Sequence, residues 1–200
     1  MGLYEKIERS RTAHPKSIRP FTYADFKAWE LKEGERFELI YGRTFSMAGA
    51  NEQHQAIIME LASQFHNFLR GKTCKVYPSP IDVRLFYKGD DSDDTVVQPD
   101  IIIICDEKKR GYEGCRGVPD LIVEILSPSD TAIEMERKLR LYRKAKVREY
   151  WVIDPENNWL MVYHFPEDKI ATTPYGNTGS VPVSILPGLS IKLDPIFSKR

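Results

Sequence analysis

Val96-Val97-Gln98-Pro99-Asp100-Ile101-Ile102-Ile103-Ile104-Cys105-Asp106 and Asp120-Leu121-Ile122-Val123-Glu124-Ile125-Leu126-Ser127-Pro128-Ser129-Asp130 are two apolar runs, each interrupted by a carboxylate. Both are short, β-branched and nearly continuous, which is how strands read when a sheet is covered on both faces. Asp100 stands between Pro99 and four isoleucines, and Glu124 sits inside Leu121 to Leu126. An ionised carboxylate in such a strand is costly unless it is paired or binds a metal. Two of them in neighbouring strands is a pattern that packing alone does not favour, so this is where function is sought.

Composition narrows the classes. The chain has 200 residues, 42% apolar and 29% charged, enough for one domain with a single sizeable core. Lys+Arg and Asp+Glu number 29 each, so overall positive charge does not drive nucleic-acid binding, although a local basic patch stays open. Cys74, Cys105 and Cys115 form no CxxC pair and are odd in number. Buried or loop thiols in a reducing compartment are the simpler reading, with a zinc site the remote one. The N-terminal MGLYEKIERSRTAHPK lacks the apolar centre of a signal peptide, and no window has the length of a transmembrane helix. The expectation is a cytoplasmic protein that meets no membrane.

Outward from the two strands, residues 1–20 read as a loosely held leader and 21–200 as one domain. Thr22 and Asp25 resemble a capping box, with Phe21 and Phe26 at the staple positions, predicting a short helix to about Leu31. Phe37–Ile40 and Arg43–Met47 flank Tyr41-Gly42 and predict a hairpin. Asn51 caps a helix to about Leu69, whose apolar residues Ile57, Ile58, Leu61, Phe65 and Phe68 share one face. Val76 to Phe86 alternates around Pro78 and Pro80, which suits an edge strand or bulge. Tyr87 to Asp94 is an acidic tip without calcium-loop spacing and reads as solvated. A helix from about Thr131 to Ala145 places Glu134, Lys138 and Tyr142 four residues apart on one face. Around them it is strongly basic (Arg137, Arg140, Arg143, Lys144), either a phosphate-binding face or simply the solvated side. Glu149–Asp154 and Trp159–Phe165 predict a further hairpin, followed by short strands and loops.

Carboxylates from adjacent strands can share a hard cation, and Mg²⁺ takes a few carboxylates and several waters at ~2.1 Å. Such a cation activates a bound water and neutralises a scissile phosphate, while a nearby lysine stabilises developing charge. Asp100, Glu124 and Lys138 offer this set, with Glu38 as a further ligand. The competing account is a plain Glu124–Lys138 salt bridge. Gln98 lies two residues before Asp100 and, on one strand, would share its face. His54 is placed near the site or on an exposed helix turn, and Tyr142 near the site or in the core. Ser127 lacks a glycine elbow and is not read as a nucleophile.

Pro99-Asp100 followed by Glu124 in an apolar strand resembles the PD-(D/E)xK nuclease signature. QPDIIIICD, GVPDLIVEILSPSD, ERKLRLYRKAKVREYWVIDPE and the FELIYGR hairpin together resemble the Uma2 family of restriction-endonuclease-like proteins, over roughly residues 20–195. Leu126 occupies the position where the superfamily places its lysine, and Lys138 on the following helix matches the family's replacement. Glu134 stands where relatives often carry Asp. The resemblance implies an α+β fold, a mixed sheet flanked by helices with additional β-hairpins. It also implies Mg²⁺- or Mn²⁺-dependent hydrolysis of nucleic acid, most naturally DNA. Homodimerisation would suit cutting both strands of a duplex. The rival readings are an inactive nucleic-acid- or protein-binding module on the same fold, and a structural oligomer using strand edges and exposed aromatics such as Trp151 and Trp159.

Overall fold

The computed structural model describes residues 19–47, 49 and 51–198. The first strands are β1 (Phe37–Ile40), β2 (Arg43–Ser46), β3 (Lys75–Pro78), β4 (Val83–Arg84), β5 (Val96–Val97), β6 (Ile101–Ile104) and β7 (Arg110–Gly111). They are followed by β8 (Gly114–Arg116), β9 (Leu121–Ile125), β10 (Glu149–Asp154), β11 (Trp159–His164), β12 (Ala171–Tyr175), β13 (Ser180–Pro182) and β14 (Ser190–Lys192). The helices are α1 (Tyr23–Ala28), α2 (Glu52–Leu69), α3 (Ala132–Ala145) and α4 (Asp194–Phe197). This is the expected mixed α+β architecture.

The central sheet has the order β12-β11-β10-β9-β6-β3. Only β9 and β10 run parallel, because α3 connects them as a crossover; the other pairs are antiparallel. Every residue of β6 and β9 is buried, as their apolar runs require. Period two divides their side chains between two cores. Ile101, Ile103, Leu121 and Val123 pack with Ile57, Leu61 and Phe65 of α2. Ile102, Ile104 and Ile122 pack with Leu141 and Tyr142 of α3, and with Ile40, Val83 and Val97 from a second sheet, β2-β1-β5-β4-β8-β7. Glu124 shares the parity of Ile122, so its side chain leaves β9 on the α3 side.

Local chemistry sets the element ends. Thr22 and Asp25 complete the capping box of α1, which stops at Ala28, short of Leu31. Asn51 accepts from the His54 amide at 2.8 Å and caps α2. Thr131 and Glu134 form a second capping box at the start of α3. The β1–β2 turn puts Tyr41 and Gly42 at φ of 50° and 73°. A side chain on Gly42 would bring its Cβ within 2.5 Å of Pro20 Cβ, so glycine is required there for space as well as conformation.

Several expectations are corrected. The start of the Val76–Phe86 run is the expected edge strand, β3 at the edge of the central sheet with Pro78 as its last paired residue, but beyond Pro80 the run passes to β4 in the other sheet. The Val96–Ile104 run likewise divides at Gln98-Pro99-Asp100. The acidic stretch is mostly exposed, as expected, but Asp93 is fully buried against the Arg84 guanidinium, with the Tyr23 and Tyr87 rings beside that cation, so the loop is anchored at that point. Trp151 is completely buried and donates from Nε1 to Glu149, also completely buried, so it offers no exposed aromatic surface. Cys74 and Cys105 are joined as a disulfide, and only Cys115 keeps its thiol. The cause is register: Lys75 pairs with Ile104, which sets Cys74 beside Cys105 across 31 residues of sequence. The leader lies outside the described residues except Arg19 and Pro20, and Arg19 is paired with Asp25 at 2.7 Å. Among the described residues no helix is long and apolar enough to cross a membrane.

Candidate active site

The break at Pro99 that ends β5 also delivers Asp100 to the start of β6. Because Ile101 stands opposite Val123, Asp100 falls opposite Glu124 at the mouth of the β6–β9 pair. Asp100 Oδ2 accepts from the Ile125 amide at 2.7 Å and lies 3.3 Å from His54 Nε2. Glu124 Oε1 accepts from Lys138 Nζ at 2.9 Å and from the Tyr142 hydroxyl at 2.6 Å, both donors rising from consecutive turns of α3. Glu38 reaches the same place from β1. Its Oε1 accepts from the Gln98 amide at 3.0 Å and stands 3.3 Å from Lys138 Nζ.

These groups line a cleft of about 500 Å³ that includes Glu38, His54, Asp100, Glu124, Glu134 and Lys138. Glu134 is committed to the helix cap, its Oε2 accepting from the Thr131 amide and hydroxyl at 2.9 and 2.7 Å, and its Oε1 lies 3.9 Å from Arg137 Nη2. Tyr142 is fully buried and meets the site only through its hydroxyl. Gln98 supports the site only through its main-chain N–H on Glu38, and its side chain is not brought in. The strand break removes the period-two relation to Asp100, and its side-chain amide is engaged by Arg36 and Asp82. One contributor was missed, and a second was read only as part of the basic face of the helix. The Ile125 carbonyl lies 3.2 Å from His54 Nε2, and a main-chain group leaves no trace in residue identity. Arg137 lines the cleft with its guanidinium 3.9 Å over the Phe45 ring; its position three after Glu134 was the available signal.

Burial pushes the Glu124 carboxyl up to about 7, and Asp100 and Glu38 add to the rise while Lys138 opposes it. Burial works to lower the Lys138 ammonium, but Glu124 and Glu38 outweigh it and hold that group well above its ordinary value. Burial and the neighbouring Glu124 likewise raise the Tyr142 phenol, which stays a donor. For His54, burial lowers and the Asp100 carboxylate raises, the net direction being upward. Lys138 is therefore a firmly held cation between carboxylates that compete for the remaining charge.

Among the described residues no group of three or more His, Cys, Asp or Glu side chains is placed to hold a metal ion. The donors fit a more open arrangement. Asp100 and Glu124 each have one oxygen engaged by protein donors, while Oδ1 and Oε2 accept no hydrogen bond among the described residues. Two carboxylates with spare oxygens beside a main-chain carbonyl suit a divalent cation that keeps several waters.

A mixed sheet with carboxylates at the mouth of its central strands, faced by a lysine-bearing helix, defines a restriction-endonuclease-like architecture. Residues 23–194 match the Uma2 family, described as "Putative restriction endonuclease", and the chain belongs to that family. It is similar to "Uncharacterized protein slr1290" of Synechocystis, 26% identical over 145 residues, covering 72% of this chain and 74% of that one. It is also similar to "Uncharacterized protein sll1609" of the same organism, 28% identical over 136 residues, covering 66% and 74%. The crystal structure of "a putative nuclease belonging to DUF820" from Anabaena variabilis superposes with a TM-score of 0.70 at 21% identity, covering 89% of this chain and 98% of that one. That likeness concerns the fold.

Proposed function

We propose that the protein is a Mg²⁺- or Mn²⁺-dependent endonuclease that hydrolyses phosphodiester bonds of nucleic acid, with DNA as the substrate. The observation that carries the reading is the meeting of Asp100, Glu124 and Lys138, from two strands and a helix, in one solvent-reaching cleft. Asp100 and Glu124 would hold the metal, and Glu38 completes the carboxylate set. When bound, the metal supplies a water of lowered pKa and positive charge against the phosphate.

The chain's own groups account for the rest. Lys138 remains an ammonium between Glu124 and Glu38, so it acts as a hydrogen-bond donor to the attacking water or a phosphate oxygen rather than as a base. Tyr142 fixes Glu124 through Oε1, which leaves Oε2 toward the cleft. The water oxygen attacks phosphorus in line and gives up its proton to solvent in the open cleft, while the opposite P–O bond breaks and the leaving oxygen takes a proton from solvent. Arg137 at the cleft margin and other cations of α3 would contact flanking phosphates, giving affinity without sequence selectivity. A homodimer would supply two such clefts for two strands.

One observation favours a second reading, the inactive binding module. Lys138 and its carboxylates satisfy one another without a metal. Calorimetric titration of Mg²⁺ into the wild type, Asp100→Asn and Glu124→Gln separates the two. The nuclease reading expects binding in the wild type and its loss in both variants. Absence of binding in the wild type, with and without DNA, would leave the binding module.

A further inference from the structure

We propose that the Tyr41 ring is a stacking platform for an unpaired base of the substrate strand, so that the cleft takes nucleic acid with single-stranded character beside the cut. The inference rests on the nucleic-acid-cleaving reading above and narrows its substrate class.

Two cations of α3 stand over aromatic rings of the β1–β2 hairpin. The Arg137 guanidinium lies 3.9 Å from the centre of the Phe45 ring, and Lys144 Nζ lies 4.6 Å from that of Tyr41. Seven residues, two helical turns, separate Arg137 from Lys144, so the two share one face of α3, about 10 Å apart along its axis. Phe45 stands opposite Glu38 in the β1–β2 ladder and lines the cleft together with Arg137. The Lys144–Tyr41 pair therefore continues one wall of the cleft along the helix.

Tyr41 is 43% exposed. Its ring stacks on Phe86, with centres 6.1 Å apart and 19° between the planes, and Lys144 Nζ is 5.9 Å from the Phe86 ring centre. The turn beneath it is fixed. The Tyr41 amide donates to Thr95 Oγ1 at 3.2 Å, and the Gly42 amide donates to the Asp94 carbonyl at 2.8 Å. Backbone geometry gives no reason for a tyrosine here, because a φ of 50° disfavours bulky residues and suits Asn or Gly. A ring already held in place loses little freedom when a ligand stacks on it. Lys144 forms no ion pair among the described residues, so its charge is available to a phosphate.

Every base has a π-face, and aromatic rings beside cations are how proteins hold single strands without reading sequence. In a duplex those faces are covered by neighbouring bases, so the ring meets a base only where the strand is unpaired. At the ~3.4 Å rise per nucleotide of a stacked strand, the shortest spacing, Tyr41 lies at most about three nucleotides along from the cleft wall. The structural alternative is a tyrosine that merely covers Phe86, a task that leucine performs as well.

Fluorescence anisotropy with end-labelled oligonucleotides, in chelator so that nothing is cut, tests the platform. The wild type should bind a single strand more tightly than the matching duplex. Tyr41→Leu should weaken single-strand binding about 10-fold, in the range for loss of one base–aromatic stack, and Tyr41→Phe, which keeps the ring, should restore it. A strand of abasic sites carries the same phosphates without bases. The wild type should bind it about 10-fold more weakly than the intact strand, and Tyr41→Leu should lose nothing further on it. Preference for the duplex, equal wild-type affinity for intact and abasic strands, or the same loss in Tyr41→Leu on both, overturns the platform. Plasmid nicking by the wild type would in that event leave the cleavage reading standing, whereas neither binding nor nicking overturns both. The abasic comparison uses the wild-type chain alone, so the outcome does not depend on how a variant folds.

Discussion

Glu124 is held by two donors on one oxygen, and each donor can be removed separately. Tyr142→Phe deletes a buried hydrogen bond to a charged group, expected to cost about 2 kcal/mol of stability in a denaturant titration. It should also weaken metal binding by about 10-fold, since the second oxygen of Glu124 is no longer aimed. Lys138→Met is harsher. It leaves Glu124 and Glu38 facing each other without their shared cation, and a loss of about 3 kcal/mol is expected by the same measurement. A metal titrated into Lys138→Met should recover part of that loss, because it supplies the missing positive charge; no recovery would argue that the carboxylates do not face a metal position. At this scale the sequence was informative where chemistry was unusual. A Glu inside an apolar strand and an Asp after a strand-entry proline announce themselves. The Ile125 carbonyl and the burial of Glu149 do not, because the first is main chain and the second depends on contacts with Trp151 and Ile185.

The elements were legible where local signals agreed with tertiary demand. α2 and α3 carry caps, helical spacing and long apolar faces, and they fall within a residue or two of their expected limits. Thr131→Ala removes the N-cap of α3 and should lower the melting free energy by about 1 kcal/mol. Because Lys138 and Tyr142 ride on that helix, loss of the cap should also reduce cleavage; unchanged stability would mean the box is not formed. The strands were less legible. β-Branched runs identify strand-forming residues but not the point at which a chain passes from one sheet to another. Both errors of this kind, at Pro78 to Pro80 and at Gln98 to Asp100, occur where proline interrupts a run that reads as continuous. The second error misplaced Gln98 and concealed how Asp100 reaches the mouth of the sheet.

Across the whole molecule, the two cores meet on opposite faces of β6 and β9, and the cleft opens where those strands end. Pairings between distant segments were beyond the sequence. The Cys74–Cys105 link depends on the β3–β6 register, so alkylation without reductant followed by mass spectrometry should leave both protected. Modification of either at native stoichiometry would contradict the link. The proposed role of Asp100 and Glu124 in cutting nucleic acid is open to a direct measurement. Nicking of supercoiled plasmid by the wild type and Glu124→Gln, in Mg²⁺ and in Mn²⁺, tests it most directly. The expected result is metal-dependent nicking by the wild type that chelator abolishes and Glu124→Gln lacks while remaining folded. Equal nicking by both proteins, or none by a wild type that binds metal and DNA, would contradict it.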